Sequence, residues 1–245
     1  MSKTALLDIG LVVAGHGRHY IVETPEGERV ICHPRGKKSD CVVGDRVRWQ
    51  PSGDEGVIEH VEPRRNLLFR QDEWKTKSFA ANLDQLIVLV AAEPVFSESQ
   101  LARALIAAES AGISARIVLN KADLPGIAAA RTRLAPYAAM GVDVVEVALK
   151  AHAQAARAAL DPLLAGNATL VLGPSGTGKS TLINLLAADA NSRNGHTTDR
   201  GSASRRCPPA ASAVRRPALR RSIAGMHRHR PGTRACATVA RAAAK

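Results

Sequence analysis

The residues best suited to chemistry form a glycine-rich loop in the last third of the chain. The loop matches the pattern GxxxxGK[ST], follows the apolar run ATLVL and opens the helical run TLINLLAAD; its members are Gly173, Pro174, Ser175, Gly176, Thr177, Gly178, Lys179, Ser180 and Thr181. Glycines let backbone N–H groups converge on an anion, and the N-terminus of the following helix adds a favourable dipole. We therefore predict a phosphate-binding loop in which Lys179 stabilises the charge on the β- and γ-phosphates and Ser180 gives a hydroxyl to Mg²⁺.

A second set of polar residues, Asn120-Lys121-Ala122-Asp123, ends the apolar run ARIVL. A carboxylate at Asp123 can accept two hydrogen bonds from guanine, whereas adenine would leave the acid unpaired. We expect Asn120 to fix the loop and the stem of Lys121 to lie along the base. Taken alone, this motif also fits an ordinary surface loop, but a phosphate loop in the same domain favours GTP and GDP as ligands.

The order of the two motifs is unusual, because the base-reading motif precedes the phosphate loop by about fifty residues. In ordinary GTPases the phosphate loop comes first. An α/β domain can be cut and rejoined where its termini lie close together, so the pocket survives while the chain ends move. The order therefore indicates a circular permutation, which places the switch segments at the carboxyl end of the domain.

The elements that must hold these loops are readable from periodicity. Residues 83–190 alternate apolar strands with helical stretches, which predicts an α/β domain with a parallel sheet, and Ser97 and Gly112 are placed to begin and end its first helix. Residues 1–63 contain short alternating runs with turns between them, which predicts a small antiparallel, OB-like β-barrel. We assign residues 64–82 to a linker that loses the strand period, and residues 191–245 to a disordered basic tail.

The charge of the chain is concentrated in that tail. Residues 191–245 hold 13 Lys and Arg against one Asp, so the net charge of +12 describes the tail, and residues 1–190 are neutral overall. Basic residues of the barrel that could contact RNA phosphates are Arg35, Lys37, Lys38, Arg46 and Arg48, although a solvated basic face explains them equally. No run approaches the ~18 apolar residues of a membrane span, and the four cysteines lack the spacing of a disulfide framework. We expect a cytoplasmic protein without a membrane partner.

Four stretches together resemble a known family: RRNLLFR, AANLDQLIVLVAAEPVFS, LNKADL and GPSGTGKSTLINLL. The chain from about Leu6 to Ala188 is similar to the circularly permuted small ribosomal subunit biogenesis GTPases, in which a barrel precedes the permuted domain. The resemblance implies hydrolysis of GTP with Mg²⁺, binding to the small ribosomal subunit and its rRNA, and a late role in subunit maturation. We expect a monomer.

The resemblance weakens after about residue 190. Gly195-His196-Thr197-Thr198 is similar to the family's first switch, but no D-x-x-G motif follows Lys179. The family also implies a zinc domain, whose ligands are not recognisable among Cys207, His227, His229 and Cys236, so we assign them no metal. The ending is consistent with a truncated or frameshifted C-terminal part, or with a basic RNA-binding tail.

These departures leave alternatives to GTP hydrolysis open. A nucleotide- and RNA-binding module without turnover would explain the absent D-x-x-G motif. A P-loop ATPase or small-molecule kinase would also use the phosphate loop, although Asp123 argues against adenine.

The residues Ala148-Leu149-Lys150 stand where the family carries a Ser-Ala pair beside the base. There the backbone can serve but the hydroxyl is lost.

Overall fold

The barrel is the first unit of the chain. The computed structural model describes residues 7–36, 40–72, 75–193, 219–224 and 237–242. Its barrel strands are β1 (Asp8–His16), β2 (His19–Glu23), β3 (Arg29–Pro34), β4 (Arg46–Ser52) and β5 (Glu55–Val61). They close in the order β1-β2-β3-β5-β4 around a core that includes Val12, Val22 and Trp49. The prediction of a small N-terminal barrel is confirmed.

One pairing in the barrel differs from the expectation of an all-antiparallel barrel. Strands β3 and β5 run parallel, while the other neighbours run antiparallel. The reason is geometric, because strand direction cannot alternate all the way around a closed ring with an odd number of strands. One parallel pair is therefore required.

The segment predicted to be a linker contains a β-hairpin. Strands β6 (Leu67–Asp72) and β7 (Lys75–Ala81) pair antiparallel, so the prediction that residues 64–82 lack strands is wrong, although the domain boundaries stay predictions. The Ala81 N–H donates to the Val43 carbonyl oxygen at 2.9 Å, and the Asn82 side chain donates to the Gly44 carbonyl oxygen at 2.9 Å. Hydrogen bonds to the barrel backbone therefore help to hold this stretch in place, and its sequence pattern does not indicate them.

The second unit is the α/β domain. Its elements are β8 (Gln85–Ala91), α1 (Glu98–Ser110), β9 (Ser114–Asn120), α2 (Ile127–Ala139), β10 (Asp143–Glu146), α3 (Ala153–Leu164), β11 (Ala168–Leu172) and α4 (Lys179–Arg193). Strands β10, β9, β8 and β11 lie side by side and run parallel, as predicted. Two apolar clusters pack on this sheet, one including Leu86 and Ile117 and the other Ile87 and Leu160. The continuous apolar runs therefore reflect strands that are buried on both faces.

Helix α1 illustrates how local signals set the element ends. The Ser97 side chain accepts a hydrogen bond from the Gln100 N–H at 3.4 Å, and Gly112 adopts a φ of 65° just after the helix. A left-handed residue at this position ends helices at low steric cost when it is glycine. The predicted start and end of α1 are confirmed.

The tail differs in part from its prediction. Strands β12 (Leu219–Ala224) and β13 (Ala237–Ala242) extend the sheet, with β13 antiparallel to β11. Strand β11 would otherwise present an unpaired backbone edge, and main-chain groups can pair there whatever the side-chain pattern. The remainder of 194–245 lies outside the described residues, so its predicted disorder stays a prediction. Within the described part, no helix has the length and apolar character needed to cross a membrane.

Candidate nucleotide-binding site

The candidate site lies where the parallel strands end. In the register of the sheet Ala91 stands opposite Asn120, Leu119 opposite Glu146, and Leu172 opposite Val88. The loops that follow these four strands therefore meet at one edge. Ligands of open α/β sheets bind at this carboxyl edge, which is where both predicted motifs lie.

Three glycines allow the phosphate loop to fold tightly onto this edge. A Cβ atom on Gly173 would stand 2.2 Å from the Leu89 carbonyl oxygen, and one on Gly178 would stand 2.3 Å from Nδ2 of Asn120. Gly176 and Gly178 also have positive φ values of 80° and 105°. Larger residues would push the loop away from the sheet, so the glycine spacing is a steric requirement of the site.

The side chain of Lys179 lies within the loop that it follows. It is buried, and its Nζ donates to the carbonyl oxygens of Gly173 at 2.9 Å and Pro174 at 2.5 Å. Thr177 is also buried, and its hydroxyl donates to the same Pro174 oxygen at 3.0 Å. The ammonium group is thus held at the mouth of the loop, where a phosphate oxygen is a stronger acceptor than a carbonyl.

Four residues of the loop and of the helix start are open to solvent. Ser175 and Gly176 are exposed at the turn, and Ser180 and Thr181 are exposed in the first turn of α4. The Leu182 N–H donates to the Gly178 carbonyl oxygen at 2.8 Å, so the helix begins directly beneath the loop. An anion at this position would meet the positive end of the helix dipole.

Asn120 joins the two predicted motifs. Its Nδ2 donates to the Thr177 carbonyl oxygen at 2.8 Å, and its Oδ1 accepts from the Leu149 N–H at 3.0 Å. The residue is 3% exposed, so both bonds are shielded from water. One amide side chain therefore links the phosphate loop, the end of strand β9 and the loop 148–150, which are up to 57 residues apart in sequence.

The rest of the base-reading motif forms a tight turn after β9. Lys121 has a positive φ of 61°, the Ala122 N–H donates to the Val147 carbonyl oxygen at 3.1 Å, and the Leu124 N–H donates to the Lys121 carbonyl oxygen at 3.0 Å. The Asp123 side chain is exposed. This arrangement leaves its carboxylate accessible to a ligand at the same sheet edge.

Several predicted features lie outside the described residues. These are Lys37, Lys38, the segment 195–198, Cys207, His227, His229 and Cys236. Among the residues that are described, no cluster of three or more His, Cys, Asp or Glu side chains could hold a metal ion.

The basic residues of the barrel are largely engaged with neighbouring acids. Arg35 pairs with Glu59 at 2.8 Å, and Arg48 pairs with Glu62 at 2.5 Å. These carboxylates offset the charge that the sequence suggested for RNA contacts. Both acids also line a groove of about 470 Å³ on the barrel, and none of the residues that line it belongs to the phosphate loop.

The sequence analysis missed the segment after β8. A Cβ atom on Gly176 would lie 3.6 Å from Cδ of Pro94, which places the proline ring beside the phosphate loop. A usable signal was available, because Pro94 follows the end of an apolar parallel strand and such ends converge on the site.

A closed barrel joined to a parallel sheet, with the predicted base-reading loop before the phosphate loop, defines the architecture of a circularly permuted P-loop domain. The chain belongs to the RsgA GTPase family, whose model matches residues 61–206. That match reaches beyond about Ala188, where the resemblance read from the sequence ended.

Individual relatives agree with this assignment. The small ribosomal subunit biogenesis GTPase RsgA of Variovorax paradoxus is 63% identical over 195 residues, covering 79% of this chain and 61% of the relative. The protein of the same name from Burkholderia pseudomallei is 54% identical over 184 residues, covering 74% and 59%. The crystal structure of YjeQ from Thermotoga maritima is 31% identical with a TM-score of 0.57, covering 74% of this chain and 65% of that one. The chain thus spans about 60% of the length of these curated relatives.

Proposed function

We propose that this chain binds GTP and GDP with Mg²⁺ and belongs to a protein that hydrolyses GTP during maturation of the small ribosomal subunit. The observation that carries the proposal is the buried Asn120 side chain, which ties the base-reading loop to the phosphate loop. Two motifs that recognise opposite ends of a nucleotide are thereby held in one site. Family membership and the names of the relatives support the biological setting.

The residues present fit the ligand. Glycines at 173 and 178 let the loop fold closely onto Leu89 and Asn120, where added Cβ atoms would collide, and Lys179 supplies a buried cation to the loop. In the proposed site Lys179 stabilises charge on the β- and γ-phosphates as the terminal phosphate is transferred to water. The exposed Ser180 hydroxyl would hold Mg²⁺, which would neutralise phosphate charge.

Base recognition is assigned to the turn 120–123. Asp123 would accept two hydrogen bonds from the guanine ring, the stem of Lys121 would cover the base, and the Leu149 amide is held at the same edge by Asn120. The remaining loop residues, Pro174, Ser175, Thr177 and Thr181, are proposed to shape or line the phosphate site.

The cellular setting follows the relatives. We propose that the partners are the small ribosomal subunit and its rRNA, that the protein acts in the cytoplasm as a monomer, and that the barrel contributes RNA contacts. The relatives named as GTPases favour hydrolysis over a binding module without turnover. The match of the family model through residue 206 also supports this choice, since it extends past the phosphate loop.

Base selectivity tests the proposed site most directly. We expect the chain to bind GDP and GTP well ahead of ADP and ATP, and Asp123→Ala to lower guanine-nucleotide affinity by about 100-fold, because a charged hydrogen-bond partner contributes ~1.5–3 kcal/mol. The measurement is a fluorescence titration with all four nucleotides. Exposed Asp54 in the barrel gives a matched control, because Asp54→Ala removes the same group far from the loops. Unchanged selectivity in Asp123→Ala would exclude this reading of residues 120–123.

Turnover requires a separate measurement. Phosphate release from GTP, followed with and without small ribosomal subunits, separates an enzyme from a binding module. Stimulated release supports hydrolysis, whereas tight GTP binding without stimulated release supports the binding module. Effective competition by ATP would instead favour a P-loop ATPase or kinase.

A further inference from the structure

Helix α2 lies between the base-reading turn and the segment after β8, which reaches the phosphate loop. The helix belongs to neither nucleotide motif. The helix follows the base-reading turn, and its N-cap Gly126 lies against the segment after β8: a Cβ there would stand 3.6 Å from both the Ala92 carbonyl oxygen and Oε1 of Glu93. Two turns further along, Arg133 contacts the other end of that segment. Helix α2 therefore braces residues 92–98 at two points.

The contacts of Arg133 are specific. Its Nη2 donates to the Phe96 carbonyl oxygen at 2.8 Å, its Nε donates to Oε1 of Glu98 at 2.8 Å, and its guanidinium carbon lies 4.4 Å from the centroid of the Phe96 ring. Phe96 is 3% exposed and belongs to the main apolar cluster. A planar guanidinium that hydrogen-bonds and stacks at once fixes geometry in a way that a lysine ammonium does not.

One residue of the braced segment, Pro94, lies beside the phosphate loop. Pro94 lies two residues before Phe96, and its ring faces the exposed Gly176 so closely that a Cβ added to the glycine would stand 3.6 Å from Cδ of Pro94. Gly176 has a φ of 80°, and glycine is the residue with the greatest backbone freedom. A ring at this distance limits the space into which Gly176 can move before a nucleotide arrives, which lowers the entropic cost of binding.

We propose that Arg133 is a positioning residue for nucleotide binding, holding residues 93–97 so that Pro94 restrains the phosphate loop at Gly176. The proposal rests on the proposed function, since it concerns how tightly the same site binds. It adds a residue outside both nucleotide motifs and assigns helix α2 a role in linking the guanine-reading turn to the phosphate loop.

The test compares Arg133→Met with Arg131→Met. Both changes remove a guanidinium from helix α2, but the Arg131 ion pair with Glu146, at 2.7 Å, ties the helix to strand β10. We expect Arg133→Met to speed release of fluorescent GDP about fivefold, as for loss of a cation–π contact and a charged hydrogen bond, and Arg131→Met to change it less than about twofold. Amide hydrogen exchange over residues 173–178 should accelerate in Arg133→Met alone.

A double-mutant cycle with Phe96→Leu separates positioning from general destabilisation. If Arg133 acts through this segment, the double variant releases GDP about as fast as the faster single variant, because the second change removes an interaction already lost. Multiplying effects, or an unchanged release rate and loop exchange in Arg133→Met, would overturn the proposal. Should Arg133→Met fail to fold, Arg133→Lys provides the same comparison, with faster release again expected.

The two proposals fail in different ways. Absence of GDP binding by the unaltered chain would count against the proposed function. Normal GDP binding with no effect of Arg133 on release or on loop exchange would count against the positioning role alone.

Discussion

The barrel and the carboxyl edge of the α/β sheet use their polar side chains differently. In the barrel, arginines pair with neighbouring carboxylates, as Arg35 does with Glu59, Arg48 with Glu62 and Arg64 with Asp45. At the carboxyl edge of the α/β sheet, Asn120 and Lys179 instead bond to main-chain groups of the loops. In an arginine–carboxylate pair the two charges offset each other. Side chains that bond to main-chain groups instead fix the shape of a loop, which prepares the loop to receive a ligand.

The difference shows why charge alone is a poor guide to function in this chain. The arginines Arg35, Arg48 and Arg64 suggest a basic surface on the barrel, yet the acids beside them offset their charge. The nucleotide site has few charged groups, but its buried cation and glycine turns lie where parallel strands end. Position relative to the sheet therefore indicates function better than composition.

The largest effect should come from the phosphate loop. We expect Lys179→Ala to weaken GTP binding by at least about 100-fold, because a charged partner of the phosphates is lost. A nucleotide titration measures this, with the barrel variant Arg46→Ala as the control. Comparable losses in both variants would break the distinction between the two regions.

The next effect concerns stability, in the barrel. Asp45 is fully buried and accepts two hydrogen bonds from Arg64, at 2.7 and 2.8 Å, and these bonds raise the pKa of Arg64. We expect Asp45→Asn to cost about 3 kcal/mol of unfolding free energy, since Arg64 loses its anionic partner in a largely buried setting. Urea denaturation provides the measurement, and GDP affinity should remain unchanged.

A surface pair gives the matched control for that variant. Glu62→Gln removes the partner of Arg48, whose side chain is 45% exposed, and should cost less than about 1 kcal/mol. Equal losses in Asp45→Asn and Glu62→Gln would mean that burial does not govern the strength of these pairs.

The last prediction concerns thiol chemistry in the barrel and leaves the nucleotide site untouched. Burial, with the nearby negative charge of Glu55, raises the pKa of Cys32 to about 11. Because the thiolate is the reactive form, alkylation at pH 7 should be about 100-fold slower than for a thiol with an ordinary pKa near 9. Mass spectrometry after iodoacetamide treatment should find Cys32 unmodified in the folded chain and modified in denaturant. Rapid labelling of the folded chain would contradict its burial.

Much of the fold was predictable because it depends on local patterns. The cap at Ser97, the turn at Gly112, the buried parallel strands and the alternating runs of the barrel each have a near-neighbour cause in sequence. Strands β6 and β7 could not be predicted in this way, because their pairing depends on each other and on the barrel at Val43. The strands at 219–224 and 237–242 likewise follow from the open edge of β11, which no local pattern reveals.

In the candidate site, too, some features follow from local sequence and others from tertiary contacts. Both motifs could be found directly, because their residue types and spacing are visible in the sequence. By itself the sequence determined a P-loop, a guanine-type motif and their permuted order. Only the tertiary structure decided that Asn120 binds Thr177 and Leu149, and that Arg133 holds the segment beside Gly176. The physical reason is distance along the chain, because these hydrogen bonds join residues that are 29 to 57 positions apart. The order of the strands brings such residues together, and the sequence does not show that order.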